Sequence, residues 1–341
     1  MLKSVFLGCG PRAEAHARAY KFVKKGRPVA ACDLDRQRLE KFRGEFGIVR
    51  GYTDVHEMLD RERPDLLHIV THPTLRAPLM TIASEHDVPV ALVEKPIAVQ
   101  GEDWKEIAAL ERETRTRFLV NTQLHFHARN LAMKRDVAAG GIGEVRFIDM
   151  SAGSTILDQG VHMLELAHSY SGYALPRKVF ASVSGSGALS SSQPSPDTAE
   201  AAIEFDSGLR AQMVTGSFAP RSWADERSYY HKRIAVYGTE GFVHWTMVGW
   251  ERFTRNRGYE KGEHDYWIED DLAQGRLTDS AFELCEDPTI RHGARLELSL
   301  IQFNIILGAY VSALERRPVD LPCEPPDGLL ESLRRALVPA E

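Results

Sequence analysis

Cysteine is scarce and scattered: Cys9, Cys32, Cys285 and Cys323 show no C-x-x-C spacing. That argues against a disulfide framework and a zinc ribbon, and it fits a reducing compartment. Long apolar runs are missing too. None approaches the roughly 18 residues of a membrane-spanning helix, and the opening Met1-Leu2-Lys3-Ser4-Val5-Phe6-Leu7 meets Gly8 before it reaches the length of a secretory signal. Basic charge is not massed either. Lys and Arg number 42 against 48 Asp and Glu, a formal net charge of −6, so neither nucleic acid nor an anionic membrane is expected as a partner. Internal repeats are lacking. His125 and His127 stand apart from carboxylates in the sequence, and no metal is expected. The expectation left by these absences is a cytoplasmic protein with a small-molecule partner.

What is present begins with length. A chain of 341 residues is long for one hydrophobic core, and two domains are expected, 1–122 and 123–341. In the first, short apolar runs (Ser4 to Leu7, Pro28 to Cys32, Leu66 to Val70, Val88 to Val93, Arg117 to Val120) alternate with helical patterns (Ala13 to Lys25, Arg36 to Phe46, Val55 to Arg61, Leu75 to Glu85, Asp103 to Thr114). Strand and helix in strict alternation imply a doubly wound α/β domain with a parallel sheet covered on both faces. After Asn121 the texture changes. A helix over Ala128 to Ala139 stops at Gly140-Gly141, Glu144 to Met150 reads as a strand, and a short helix runs from Asp158 to Ser169. Strand patterns follow at Lys178 to Val183, Ala199 to Phe205, Leu209 to Gly216, Lys232 to Tyr237 and Phe242 to Trp245, the order of an α+β domain with a large, mostly antiparallel sheet. Ser182 to Pro196, rich in Ser, Gly and Pro, reads as a mobile loop, and His292 to Arg316 as a helix ended by Pro318.

Chemistry first shows at the N-terminus. Gly8-x-Gly10-x-x-Ala13 follows a strand and opens a helix, where the first glycine makes the turn, the second lets backbone amides approach a pyrophosphate, and a small third residue permits close packing. Asp33 ends the next strand, twenty positions after Ala13, where a carboxylate accepts hydrogen bonds from ribose hydroxyls. The alternative is a glycine turn beside a surface aspartate. Asp33 repels a 2′-phosphate and favours NAD, whereas Arg12, Arg36 and Arg38 are near enough to accommodate one, so NADP stays possible.

With Ile69-Val70-Thr71-His72-Pro73, Glu94-Lys95-Pro96, Gly140-Gly141-Ile142-Gly143-Glu144-Val145, Leu157-Asp158-Gln159-Gly160-Val161-His162, Tyr237-Gly238-Thr239-Glu240-Gly241 and Pro326-Asp327-Gly328 added in order, the chain resembles the Gfo/Idh/MocA family over nearly its whole length. The resemblance implies a Rossmann domain followed by a substrate-binding and oligomerisation domain, in a homodimer or homotetramer. It implies an NAD(P)-dependent oxidoreductase acting on a sugar, polyol or derivative. Gly8, Gly10, Pro11, Arg12, Ala13, Asp33, Thr71, His72 and Glu94 would hold the cofactor. Lys95 would contact both the nicotinamide ribose and the reacting hydroxyl, its bond to Pro96 often being cis. The alternative for Lys95 is a solvated lysine at a strand end.

Asp158 and His162 lie four apart and share a face if the segment is helical. A carboxylate beside an imidazole suits a group that takes and returns a proton, and the resemblance implies a catalytic pair; otherwise Asp158 caps the helix and His162 fills its inner side. Two positions depart from the family pattern. Arg76 stands where T-P-x-x-x-H has histidine, and could meet a phosphate or an acidic substrate or lie on the helix surface. Glu165 stands where many members have aspartate. Asn121, Gln123 and His125 follow the last strand of the first domain, either lining the cleft as their counterparts do or serving as ordinary loop residues. Trp223, Tyr229, Tyr230, Trp245 and Trp250 could stack on a sugar, or belong to core or interface. The resemblance also admits a redox-neutral glycosidase that oxidises the sugar transiently, and a non-catalytic dinucleotide or sugar sensor.

Overall fold

The computed structural model describes residues 1–338. Two compact units emerge: Met1–Ala98 with Asp103–Phe126 and Trp267–Ser299, and Val99–Glu102 with His127–Tyr266 and the chain from Leu300 onward. Trp267–Ser299 thus joins the first unit, although a boundary at 122 assigns it to the second; residues 339–341 of the expected second domain lie outside the described residues.

The first unit runs β1 (Leu2–Leu7), α1 (Pro11–Arg18), β2 (Gly26–Cys32), α2 (Arg36–Phe46), β3 (Arg50–Tyr52), α3 (Val55–Glu62), β4 (Leu66–Ile69), α4 (Arg76–Glu85), β5 (Val90–Glu94), then α5 (Gly101–Glu113), whose first two residues belong to the second unit, and β6 (Arg117–Asn121). Its six strands are all parallel, in the order β3-β2-β1-β4-β5-β6. Every residue of β5 is buried, as a strand covered on both faces requires. Asp35 opens α2 by accepting from the Gln37 and Arg38 amides, and Asp54 opens α3 by accepting from that of Glu57. The helix expected over Ala13 to Lys25 is α1 followed by a 3-10 turn at Ala19–Phe22.

One side of the unit's core joins Phe6, Ala13, Ala17 and Ala31 to Leu39 and Phe42. Another gathers Leu66, Val90, Leu92 and Leu119 against Leu277, Ala281 and Phe282. The last three come from a helix that the sequence reading passed over, so the first unit's core is completed by residues about 150 positions beyond its last strand.

The second unit contributes α6 (Ala128–Ala138), β7 (Val145–Ala152), α7 (Val161–Tyr170), β8 (Pro176–Ser184), β9 (Thr198–Phe205), β10 (Arg210–Thr215), β11 (Lys232–Gly238), β12 (Phe242–Thr246), β13 (Gly249–Thr254) and β14 (Gly258–Glu263). The chain continues through α8 (Tyr266–Glu286), α9 (Leu296–Glu315), β15 (Val319–Asp320) and α10 (Leu329–Leu337). Nine strands form one sheet, ordered β14-β13-β12-β11-β7-β10-β9-β8-β15. Only β7 and β10 pair in parallel. Helix α9 is long and apolar enough to cross a membrane, but 78% of its most apolar window is buried within the protein, which makes it a core helix. The loop read as mobile is tied down: Asp197 accepts from the Gly187 amide at 3.0 Å and from that of Ala188 at 2.6 Å, and Leu189 and Ser195 are buried.

The helix expected from His292 starts only at Leu296, because residues 292–295 run beside β6, with the Val120 amide bonded to the Ala294 carbonyl at 2.8 Å. The His292 Nδ1 accepts from the Ala294 amide at 3.0 Å and its Nε2 lies 2.8 Å from the Ser280 hydroxyl, so the ring is held neutral. Burial, with the charges of His125 and Arg295, pushes its pKa down to about 4; burial also lowers His16 and His68. A folded pKa below the unfolded value of about 6.5 means that acidification favours the unfolded chain. The stability is present above pH ~6.5 and drains away as pH falls towards the folded value. We predict that the thermal midpoint drops by several degrees between pH 7 and pH 5. His292→Leu should start lower at pH 7, having lost both hydrogen bonds, but lose less on acidification; an unchanged pH slope in that variant would contradict the assignment.

Candidate functional site

At the C-terminal edge of the parallel sheet the chain leaves β1, turns at Gly8 and enters α1 with Pro11 in its first turn, a position where proline's missing amide hydrogen costs nothing. Gly8 has φ +94°, and a Cβ there would stand 2.3 Å from the Val70 carbonyl oxygen. Gly10 differs. Its φ of −79° suits any residue, and a Cβ would meet no protein atom within 4 Å, so the protein's own packing does not require glycine and the space over its backbone stays open. A cavity of about 450 Å³ lies here, lined by Gly8, Gly10, Asp33, Arg38, Thr71 and His72 among others. Ala13 is fully buried in the adjoining core.

Asp33 is fixed from several sides. It accepts from the Cys9 amide at 2.8 Å, from the Asp35 amide at 2.9 Å and from two nitrogens of Arg38, each at 3.0 Å. Burial works to raise its pKa, but the Arg38 fork and the two amides outweigh it, and the carboxyl titrates below its ordinary range. Open backbone at Gly10, a helix N-terminus and an ionised carboxylate fit the phosphates and ribose of a dinucleotide. Of the three arginines expected near a 2′-phosphate, Arg38 alone is placed by contacts at Asp33. Arg12 is directed elsewhere, its Nε 2.8 Å from Glu94, and Arg36 is exposed at the start of α2. Asp33→Ser should therefore weaken NAD on the order of tenfold and bring NADP closer to it, because Arg38 loses the carboxylate that engages its fork and keeps only the more distant Asp35 at 3.9 Å. Fluorescence titration with both cofactors measures this, and an unchanged NAD to NADP ratio would contradict it.

Farther along the same edge, Glu94 ends β5 and is nearly sealed from solvent. Its two oxygens meet Arg12 Nε at 2.8 Å and His16 Nε2 at 3.2 Å. Burial pushes its pKa up, yet the Arg12 charge and the His16 hydrogen bond hold it far below the usual carboxylate range. From His16 a chain of contacts continues inward: Nδ1 of His16 to Nδ1 of His68 at 3.3 Å, Nε2 of His68 to the Tyr20 hydroxyl at 2.8 Å, and that hydroxyl to Ser4 at 2.5 Å. Lys95 follows Glu94 directly, half-buried, and its bond to Pro96 is cis. Arg76 does not lie on the helix surface. It is 2% exposed, and its Nη1 donates to the Thr71 carbonyl at 2.8 Å, with the Thr71 hydroxyl 3.3 Å away. His72 Nδ1 is 2.9 Å from the Thr74 hydroxyl.

Asn121, the last residue of β6, and Gln123 and His125 in the turn that follows are buried. Gln274 donates to Asn121 at 2.9 Å and Gln123 to Asp270 at 3.1 Å, both partners being carried by α8. The sequence reading overlooked these partners, along with His16, His68 and Tyr20. Helical spacing of Leu277, Ala281 and Leu284 carries a signal for α8, and His16 sits three residues after Ala13 on the buried face of α1.

Asp158 and His162 belong to the second unit. The helix expected from Asp158 begins as a single π turn, Ile156–Gly160, that passes into α7 at Val161; such wider turns recur at functional sites. Asp158 does not cap a helix. Thr155 does, accepting from the Asp158 amide at 3.2 Å, while the Asp158 carboxylate accepts from Ser154 at 2.7 Å and Gln159 at 3.0 Å. Gln159 in turn accepts from Lys232 at 2.8 Å. His162 and Glu165 are both buried in α7. Burial pushes the Lys134 ammonium down to about 8 despite the charge of Glu165. Trp245 is fully buried and so is core, and Trp250 carries the Arg129 guanidinium 3.6 Å from its ring centre. Trp223 is half-exposed, and the Tyr229 and Tyr230 rings meet at a tilt of 55° with the Arg227 guanidinium 4.4 Å from the Tyr230 ring centre.

Known proteins resemble this arrangement. Residues 2–122 match the model of an oxidoreductase family with an NAD-binding Rossmann fold, and residues 130–244 match the Gfo/Idh/MocA C-terminal domain. D-apiose dehydrogenase of Paraburkholderia graminis is 26% identical over 256 residues, 70% of this chain and 66% of that protein's length. An oxidoreductase from Agrobacterium radiobacter, solved with NAD+, L-tartaric acid and magnesium, superposes with a TM-score of 0.80 at 21% identity, covering 94% of this chain and 98% of the other. A myo-inositol 2-dehydrogenase from Lactobacillus plantarum gives 0.73 at 18% identity, covering 94% and 99%. With both domain models matched in sequence and the glycine cavity, Asp33 and Glu94-Lys95-Pro96 in place, the chain belongs to the Gfo/Idh/MocA family of NAD-binding oxidoreductases.

Proposed function

We propose that this protein is an NAD-dependent dehydrogenase that transfers hydride between nicotinamide and a hydroxyl-bearing carbon of a sugar, a polyol or a derivative. The observation that carries the reading is the placement of Lys95. It follows a carboxylate fixed by Arg12 and His16, at the edge of the parallel sheet where β1 and β4 open the glycine cavity and where doubly wound folds bind ligands. The apiose and inositol substrates of the relatives and the hydroxy acid bound by the Agrobacterium protein are all polyhydroxylated.

When bound, NAD supplies the hydride acceptor. In the first unit, Lys95 donates a hydrogen bond to the reacting oxygen and stabilises charge developing there. Glu94, unable to move between Arg12 and His16, orients the lysine. In the second unit, His162 takes the hydroxyl proton, and Asp158, braced by Ser154 and Gln159, orients it. Reduction of a carbonyl runs the same steps in reverse.

The test is to incubate purified protein with NAD or NADP and a panel of sugars, polyols and aryl glycosides. Reduced-nicotinamide absorbance and aglycone release are followed together. Net NADH formation supports the dehydrogenase. Aglycone release without net reduction supports a redox-neutral glycosidase instead, and silence in both channels with retained NAD binding supports a sensor.

A further inference from the structure

A second cavity, of about 640 Å³, lies within the first unit and shares no lining residue with the glycine cavity. It runs beside the start of β6, the outermost strand of the parallel sheet, away from Asn121, and is bounded by the end of α5 and the segment that follows α8. Four arginines line it, Arg115, Arg117, Arg291 and Arg295, with Glu111 and Glu297 as its carboxyl groups. Arg295 is matched by Glu297, Nε to Oε2 at 3.0 Å, and its Nη1 donates to the His292 carbonyl at 3.1 Å. The other three are exposed. Among the described residues their guanidinium groups have neither an ion pair nor a hydrogen bond to a carbonyl, so they cap no helix end. Burial, followed by the charge of Glu297, pushes the Glu111 carboxyl up to about 7, so it repels an anion only weakly near neutrality. His292, the remaining titratable group of the lining, is neutral. Even with Glu111 ionised, four arginines against two carboxylates leave an excess of two positive charges around one hollow, on a chain whose formal net charge is −6. Such crowding of like charge is unfavourable until an anion enters.

We propose that this cavity is a second binding site, separate from that of NAD, for a phosphorylated small molecule with an apolar body, of the size of a nucleoside monophosphate. It is independent of the dehydrogenase reading. The volume falls within the roughly 300–1,000 Å³ of small-molecule sites and far exceeds what a bare phosphate fills. Unengaged guanidinium forks match phosphoryl oxygens in geometry. The excess of two charges matches a phosphoryl dianion, whereas a carboxylate monoanion would leave one charge unmet. Apolar side chains complete the lining: Phe118, Leu119 and Leu284, all buried, and the more exposed Ile290 offer a surface for a ring or base.

The experiment is isothermal titration calorimetry of the full chain with saturating NAD present, so that the glycine cavity is filled. The probes are uridine 5′-monophosphate, phenyl phosphate, inorganic phosphate and uridine. Both organic phosphates are expected to bind saturably, inorganic phosphate more weakly, and uridine at least about tenfold more weakly than its monophosphate. Arg117→Gln and Arg291→Gln should each lower affinity for the monophosphate on the order of tenfold or more, the loss of a charge-assisted hydrogen bond. Arg112→Gln removes the same charge from an exposed position of α5 outside the cavity and should leave affinity within about twofold. The NAD-induced rise in thermal midpoint should be the same in all three variants, which also shows that they fold. Absence of saturable binding by both organic phosphates overturns the proposal, as does binding seen only when NAD is omitted, which places the phosphate in the glycine cavity. Inorganic phosphate or uridine binding as tightly as the monophosphate overturns it too. So does an equal loss in Arg112→Gln, the mark of a diffuse charge effect, or unchanged affinity in both Arg117→Gln and Arg291→Gln.

Discussion

His162→Ala is expected to lower the turnover of NADH formation by about 10²–10⁴-fold, the range that a positioned acid–base group supplies, while NAD binding persists. The separation of effects follows from where the groups sit. The nucleotide cavity is built wholly from residues of the first unit, whereas His162 and its supports belong to the second. Because His162 is buried in α7, truncation leaves a small void, so the variant's fold is checked by its thermal midpoint and its integrity by the NAD-induced rise in that midpoint. Asp158→Asn should cost less than His162→Ala, since Ser154 and Gln159 still hold the amide in place. Turnover in His162→Ala within a few-fold of wild type would remove this residue from the chemistry.

The second large effect comes from the glycine loop, where two neighbouring substitutions should fail differently. Gly8→Ala combines a backbone angle that L residues rarely adopt with a Cβ 2.3 Å from the Val70 carbonyl. Since that contact is with main chain of the next strand end, it is relieved only by shifting the sheet edge itself. A cost of about 3 kcal/mol or more is expected, together with loss of the NAD-dependent thermal shift. Gly10→Ala should leave stability within about 0.5 kcal/mol of wild type, because its backbone is already in a common conformation and its Cβ meets nothing in the protein. Its NAD affinity should nevertheless fall on the order of tenfold if the pyrophosphate lies over the amides of this loop, because the methyl group occupies that open space. Calorimetry of both variants with and without NAD separates the two cases. Equal stability losses would show that the open space at Gly10 has no bearing on a ligand.

Legibility in the sequence was uneven, for physical reasons. Strand and helix alternation up to Asn121 is a local signal, and it placed five of the six strands of the parallel sheet; the exception, Arg50–Tyr52, is three residues long and only partly buried. Pattern and glycine spacing likewise located Gly8, Gly10 and Asp33 because a tight turn and a strand end leave marks in a single stretch of chain. The environment of those residues leaves none. That Arg38 rather than a ribose alone faces Asp33, that Arg12 turns to Glu94, and that Arg76 is buried are consequences of three-dimensional neighbours. Helix α8 shows the same limit at domain scale. Its apolar face completes the core between Leu66, Val90 and Leu119, a contact made far along the chain, so a boundary drawn where the texture changes separates it from the strands it packs on. The π turn at Ile156–Gly160 leaves no separate mark in the sequence, because four-residue spacing looks the same in it and in an ordinary helix.

In the proposed reaction, hydride passes from a substrate carbon to NAD. That transfer is tested most directly by supplying a preferred substrate deuterated at the carbon bearing the reacting hydroxyl and locating the label by mass spectrometry. One deuterium is expected in the reduced cofactor per molecule of substrate oxidised. Deuterium returned to the product carbon with no net NADH, or a cofactor that binds and acquires no label from any substrate, would contradict it.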